Sequence, residues 1–412
     1  MKKPELREAT VDDINTAPRT PGKIDARAAM EALNAEAGQF NIWLRTQANA
    51  PAQKAWFKPS SVEEAGRMAQ GRVAGGQQKA QPHRWRWKEI SPYLLKIADV
   101  AKNSDIPPTE FADRQQFLLT NPGLGGRLQV AAAIRCAVSI YNPGDVARAH
   151  LHSPNATRTI LSEYGGYTNV EGERCDAMRG DVMLTPNGTW HDHGNDGNEP
   201  VMWIDTLDWP LLEVLDLIWL DEDAPGLEGN QRAQSEKIPR GHSQRLYAHG
   251  GLVPRMASHQ RGIGHSETPF FHFKGVDIQN ALTAMKGDVR DDYEGTPIDL
   301  RNPVTGGHLF TTLGYGAQLL KPGEETRFKR ETCSTVYVCM HGRGQTEVAG
   351  KTYDWEENDI FVVPNFLWRR HVNTGSKDAI LYTMSDRPLI EKIGQYRAQG
   401  MDKGGKVEQI VA

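Results

Sequence analysis

From Phe117 onward the chain is written in short apolar runs closed by turn residues. Leu128–Tyr141, Arg158–Glu163, Asp181–Thr185 and Val201–Thr206 are such runs, and their spacing predicts the strands of an all-β sandwich or barrel. Leu211–Asp223 reads as helix, and Glu222–Pro269 as a polar connection carrying Gly and His. The β texture resumes over Thr311–Leu320, Ser334–Met340, Ile360–Pro364 and Ala379–Ser385. The segment R-P-L-I-E-K-I-G-Q-Y-R then predicts a last helical stretch ending near Gln399, with a Gly/Lys-rich tail behind it. Ahead of Phe117 the pattern is different. Ile24–Leu44 holds the Ala-rich A-R-A-A-M-E-A-L-N-A-E, which predicts a helix. Pro59–Gln81 reads as a loop, and H-R-W-R-W-K-E-I-S-P-Y-L-L-K-I-A runs from an aromatic cluster into a second helix.

The β texture repeats itself. Pro143-Gly144 matches Pro322-Gly323, and Asn169-Val-Glu-Gly172 matches Glu347-Val-Ala-Gly350. Asp181, Pro186, Trp190, His193 and Asn195 match Asp359, Pro364, Trp368, His371 and Asn373. Turns and prolines that agree over so long a span predict two copies of one barrel. The expected layout is a helical and loop arm over 1–110, a first barrel over 111–225, a connector over 226–300 and a second barrel over 301–400.

Composition changes this picture little. The 412 residues suffice for two domains, and 38% hydrophobic with 24% charged residues fits a globular protein. A net charge of -4 gives no electrostatic reason to expect nucleic acid or an anionic membrane as partner. Trp85 and Trp87 interleave with Arg, but without a wider basic patch the arm packing onto a barrel is favoured over base stacking. The start, M-K-K-P-E-L-R-E-A-T, has no apolar run of a secretory signal, and Leu211–Leu220 carries Glu213 and Asp216, too short and too charged to span a bilayer. Cys136, Cys175, Cys333 and Cys339 lie far apart, so a reduced, cytoplasmic setting is expected.

The chemistry concentrates in Pro143–Asn195. His150 and His152 alternate on a strand and so share a face. His191 returns after a Gly-Asp turn, an apolar run and a Pro-x-Gly turn, and can complete a facial triad with open positions. Imidazole suits Fe, Zn, Cu or Ni, so the ligands alone do not choose the metal. In the second copy the same positions hold Lys329, Glu331 and Arg369, and of the histidines only His371 survives. Charged Lys and Arg are poor ligands, so this copy is expected to hold no metal and to form an internal ion network.

Gly144-x5-His150-x-His152 followed by Gly180-x5-Pro186-x-Gly188-x2-His191-x3-Asn195 resembles the two motifs of the cupin superfamily. The usual glutamate ligand is missing, and Ala156 and Thr157 stand there. A three-histidine site in a bicupin resembles the gentisate 1,2-dioxygenase family, including salicylate and 1-hydroxy-2-naphthoate dioxygenases. T-N-P-G-L at 120–124, W-H-D-H-G-N at 190–195, N-P-V-T-G-G at 302–307, S-T-V-Y at 334–337 and S-D-R-P at 385–388 support it. The resemblance covers roughly Pro82 to Arg397.

That resemblance implies Fe(II), O2, and oxidative opening of a hydroxylated aromatic carboxylate between the carboxyl- and hydroxyl-bearing carbons. Homotetramers are usual in the family. Arg158 stands six residues beyond His152, on the ligand face if the strand is unbroken. It matches the arginine that binds the substrate carboxylate; a salt bridge at the barrel mouth is the plainer alternative. His193 matches a histidine contacting substrate or oxygen, and Asp205 the acid that orients it. Arg114 corresponds to a substrate-side arginine, with Gln115 and Gln116 where another basic residue is common and Ser139 where a glutamine is usual. These departures bear on the ring substituents. Two other readings compete: a non-oxidative cupin isomerase or decarboxylase, which commonly uses the glutamate absent here, and a non-catalytic cupin binding protein, which needs neither triad nor His193–Asp205 pair.

Overall fold

A computed structural model describes residues 24–44, 80–106, 115–222, 238–254 and 268–411. The strands form two pairs of sheets rather than closed barrels. In the first pair a seven-stranded sheet runs, in spatial order, Ile42–Leu44, Gln116–Leu119, Arg135–Tyr141, Val201–Leu207, Ala156–Ile160, Val182–Thr185 and His272–Phe273. It faces a five-stranded sheet of Leu220–Asp221, Val146–His152, His191–Asn195, Tyr164–Val170 and Glu173–Met178. The second pair has six strands in each sheet. Among the described residues no helix is long and apolar enough to cross a membrane.

Three apolar clusters explain why these runs are strands. One fills the first sheet pair, with Tyr141, Ile160, Val170, Met183 and Trp203. Another fills the second, with Tyr337, Val348, Trp355, Phe361 and Leu381. The largest lies between the pairs and joins Val138, Ile140 and Ile204 of the first to Val336, Val338 and Met384 of the second. Arg135–Tyr141 is therefore buried at every position. Its alternate residues point into two different cores, which is why it reads as a continuous run instead of an alternating one.

The arm belongs to this middle core. Helix Trp87–Asn103 sends Ile90, Leu94, Ile97 and Ala101 into it along one face. Helix Ala26–Ala37 is capped by Asp25, whose carboxylate accepts from Ala28 N at 3.3 Å. Between them the arm feeds strands to both sheet pairs: Ile42–Leu44 pairs with Gln116–Leu119, and His83–Trp85 with Ile360–Val363. Trp85 is 1% exposed and its indole donates to Asn41 O at 3.1 Å, so it packs, as the composition argument favoured.

The expected helices are shorter than their patterns. Leu211–Asp223 divides into helix Trp209–Val214 and the edge strand Leu220–Asp221, which pairs alongside His152. Asp216 at φ 57 makes the break. The last helix covers only Arg387–Lys392, and Gly394 at φ 71 ends it. The Gly/Lys-rich tail forms Ala398–Met401 and Val407–Val411, extending a sheet from Lys329–Glu331.

The repeat is also visible in bonds. Asn195 Nδ2 donates to Tyr141 O and Glu199 O, and Asn373 Nδ2 donates to Leu320 O and Lys377 O. Asp181 accepts from Gly275 N at 2.8 Å, and Asp359 from Trp87 N at 2.7 Å, so each turn aspartate holds the start of a helix. Gly275 lies so close that a Cβ there would meet Gly180 C at 2.5 Å.

Candidate metal centre

His150 and His152 sit on Val146–His152, and His191 on the neighbouring strand directly opposite His150. Alternation turns the first two rings to the sandwich interior, and the register brings the third between them. Ring centroids lie 4.4 Å (His150–His191), 4.7 Å (His152–His191) and 5.6 Å (His150–His152) apart. One ligand atom from each falls within 4.8 Å of the others.

Each ring is aimed by backbone. Nδ1 of His150 donates to Arg148 O, of His152 to Pro154 O and of His191 to Thr189 O, each at 2.8 Å. A carbonyl can only accept, so the proton is held on Nδ1 and Nε2 presents its lone pair. His191 Nε2 is fully buried without a hydrogen-bond partner, as a metal-binding nitrogen would be. Burial, then His150, His152, His193 and Arg158, push the His191 pKa well below the usual imidazole value. The ring is neutral and ready to donate its lone pair. The donor set of this three-histidine group suits a metal ion.

Arg158 faces the triad from another sheet than expected. The chain turns after His152, and Arg158 lies on Ala156–Ile160 in the facing seven-stranded sheet. Its charge is felt across the interior by His191 and His193, lowering both pKa values behind the larger effect of burial. Nη1 donates to Thr185 Oγ1 at 3.1 Å.

No hydrogen bond joins Asp205 to His193. Asp205 stands opposite Arg158 in register, with Oδ1 3.3 Å from Arg158 Nε. Ser139 Oγ donates to its Oδ2 at 2.5 Å, and the Trp203 indole donates to both oxygens at 3.0 and 3.1 Å. Asp205, Arg158 and Ser139 belong to one sheet and His193 to the facing one, where Thr168 Oγ1 meets its Nδ1. His193 Nδ1 is 3.0 Å from Thr168 Oγ1, its cross-strand neighbour, and its buried Nε2 has no hydrogen-bond partner. Arg114 lies outside the described residues. Gln115 is fully buried and donates to Asp145 at 2.6 Å.

Residues 137–207, which include the whole triad, match the model of the cupin domain. The 5-aminosalicylate 1,2-dioxygenase of Comamonas sp is 34% identical over 337 residues, spanning 80% of this chain and 84% of that protein. The chain belongs to the gentisate 1,2-dioxygenase-like family of bicupin ring-cleaving dioxygenases. The gentisate 1,2-dioxygenase of Ralstonia sp is 30% identical over 324 residues, 78% of this chain and 86% of its own. The crystal structure of salicylate 1,2-dioxygenase from Pseudoaminobacter salicylatoxidans with gentisate superposes with TM-score 0.70 at 26% identity, covering 84% of this chain and 96% of that one.

As a bicupin of this family the chain carries a second interior of different chemistry. Lys329 Nζ lies 2.8 Å from Glu294 and 3.1 Å from Glu331, and Arg369 Nη2 lies 2.8 and 2.9 Å from the same carboxylates. Glu294, which closes this ion network, was invisible in the sequence because it precedes the repeated frame. Burial opposes the charges, but Arg369 and Lys329 outweigh it and hold both glutamates below the usual carboxylate range. His371 Nδ1 sits 2.8 Å from Thr346 Oγ1, repeating the His193–Thr168 contact. Trp203 and Thr168 were legible in principle: each lies at alternate spacing or in register with a residue already singled out.

Proposed function

We propose that this chain is an Fe(II)-dependent dioxygenase that opens a hydroxylated aromatic carboxylate between the carboxyl- and hydroxyl-bearing carbons. Gentisate, salicylate and substituted salicylates are the substrate class, with O2 as co-substrate. The observation that carries this reading is the pairing of three convergent imidazole nitrogens with a buried guanidinium across the same interior. His150, His152 and His191 would hold the ion. When bound, the ion supplies the redox chemistry that lets O2 react with the ring.

The remaining tasks fall to side chains. Arg158 binds the substrate carboxylate, because its guanidinium is a fixed donor fork in a dry interior. Asp205, gripped by Ser139 and Trp203, holds Arg158 in place. His193 faces the reacting ring with its Nε2 and exchanges a proton or hydrogen bond there. Arg114 supplies a second substrate-side cation. We further propose a homotetramer acting in the cytoplasm, with an arm over 1–110, a metal-binding unit over 111–225, a connector over 226–300 and a second unit over 301–400. The strands that the arm lends to both units support its role as a clasp between them.

The test is anaerobic loading with Fe(II), followed by oxygen uptake over gentisate, salicylate, 5-aminosalicylate and 1-hydroxy-2-naphthoate. Uptake with one equivalent of ring-opened product from at least one acid is expected. No uptake with any hydroxylated aromatic carboxylate, in protein carrying one Fe(II) per chain, overturns the reading.

A further inference from the structure

The second sheet pair encloses a cavity of about 310 Å3, within the range of small-molecule pockets. Lys329, Glu331 and Arg369, at the positions equivalent to the triad, line it together with Glu294. Its polar lining is matched in charge. Lys329 and Arg369 each face both glutamates. On the same wall, Asp299 pairs with Arg301, and Arg387 and His308 pair with Glu391. Asp291 accepts from the backbone of Tyr293 and Glu294. Every Lys and Arg on the wall therefore already faces a carboxylate, and an anionic ligand would enter without a counter-charge.

What the wall lacks is acceptors. Arg369 Nη1, Gln318 Nε2 and the Tyr337 hydroxyl are buried and without hydrogen-bond partners. Their residues are 4%, 2% and 0% exposed, and all three line this one cavity. Buried donors left unpaired are costly, so the occupant brings oxygen acceptors. The two glutamates also keep lone pairs beyond those used by Lys329, Arg369 and Tyr396, since a carboxylate accepts about four hydrogen bonds. An occupant that both accepts and donates satisfies the two sets together, and a hydroxyl group does so without adding charge.

We propose that the second sheet pair holds a binding site for a small neutral polyhydroxy compound, of the sugar or polyol class. Its hydroxyls accept from Arg369, Gln318 and Tyr337 and donate to Glu294 and Glu331. The site is independent of the ring-cleaving reaction, because it lies in the other sheet pair.

Saturation-transfer NMR on the full-length, iron-loaded protein tests this, with xylitol and glucose as probes and benzoate as the anionic comparison. Wild type is expected to transfer saturation to at least one of the two polyols. Tyr337→Phe and Gln318→Leu should each weaken that binding about tenfold, the loss of one hydrogen bond from a neutral ligand. Tyr337→Phe keeps the ring that stacks on Phe361 at 4.8 Å, so it folds and decides the matter even if Gln318→Leu does not. Oxygen uptake with the aromatic substrate stays at the wild-type rate in Tyr337→Phe. Absence of transfer to both polyols, equal transfer from wild type and Tyr337→Phe, or benzoate binding that Tyr337→Phe weakens would each overturn the proposal.

Discussion

Arg158 and Asp205 stand directly opposite each other on adjacent antiparallel strands, with Nε 3.3 Å from Oδ1 and both side chains under 10% exposed. A buried pair of this kind has little independent freedom. Ser139 and Trp203 fix the carboxylate, and the carboxylate in turn fixes the guanidinium. Asp205→Asn keeps the shape and both of those donors' acceptor but removes the counter-charge. KM for the carboxylated substrate should rise about tenfold, with kcat changed less, because positioning costs about one hydrogen bond's worth of binding. Steady-state oxygen uptake checks this. An unchanged KM would show that the pair is purely structural.

Arg158→Ala goes further, since it removes the group proposed to hold the carboxylate. A fall of about 10²-fold in kcat/KM is expected, carried mainly by KM. Iron content should stay at the wild-type level, because the triad's Nδ1 partners are backbone carbonyls that the substitution does not touch. Metal analysis beside kinetics separates the two roles.

His152→Ala deletes one of three convergent nitrogens. Both iron binding and turnover should be lost, and wild-type iron content in this variant would refute the ligand assignment. His193→Ala, two residues beyond His191 on the same strand, should retain iron and lose turnover.

In the second sheet pair, Glu331→Ala leaves Lys329 and Arg369 with one carboxylate between them and strips an acceptor from Tyr396. Breaking a buried ion network by one partner costs about 3–5 kcal/mol, so denaturant unfolding should shift by that order. Iron per chain should stay unchanged. Loss of half the metal would show that the second sheet pair binds it as well.

His371 should make the fold acid-sensitive. Burial, with Arg369 adding to it, holds its pKa down at about 3, against 6.5 in an unfolded chain. Between those values the unfolded state binds the extra proton, so stability is full above about pH 6.5 and falls as pH drops toward 3. The loss should be roughly 1–4 kcal/mol, and His371→Gln should flatten it. Urea unfolding at pH 7.5 and 5 for both proteins measures the difference.

How much of this was legible beforehand depends on range along the chain. The triad was readable because strand alternation is a property of the local backbone: His150 and His152 share a face whatever surrounds them. The repeat was readable for the same reason, since turns need Gly and Pro at set places, and the Asn195 and Asn373 hydrogen bonds repeat atom for atom. The lengths of the helices near Asp216 and Gly394 were not, because a single left-handed residue ends a helix that periodicity would carry on.

The sequence by itself therefore determined the two-copy β architecture, the three histidines and the charged residues standing in their place in the second copy. Only the tertiary structure decided which groups meet. It set Asp205 against Arg158, placed Arg158 across the sandwich from His152, and brought Glu294 into the second sheet pair's ion network. Alternation and turns are written within a few residues, whereas these pairings depend on the register of strands far apart in the chain, and that register is settled by packing two cores and the arm between them.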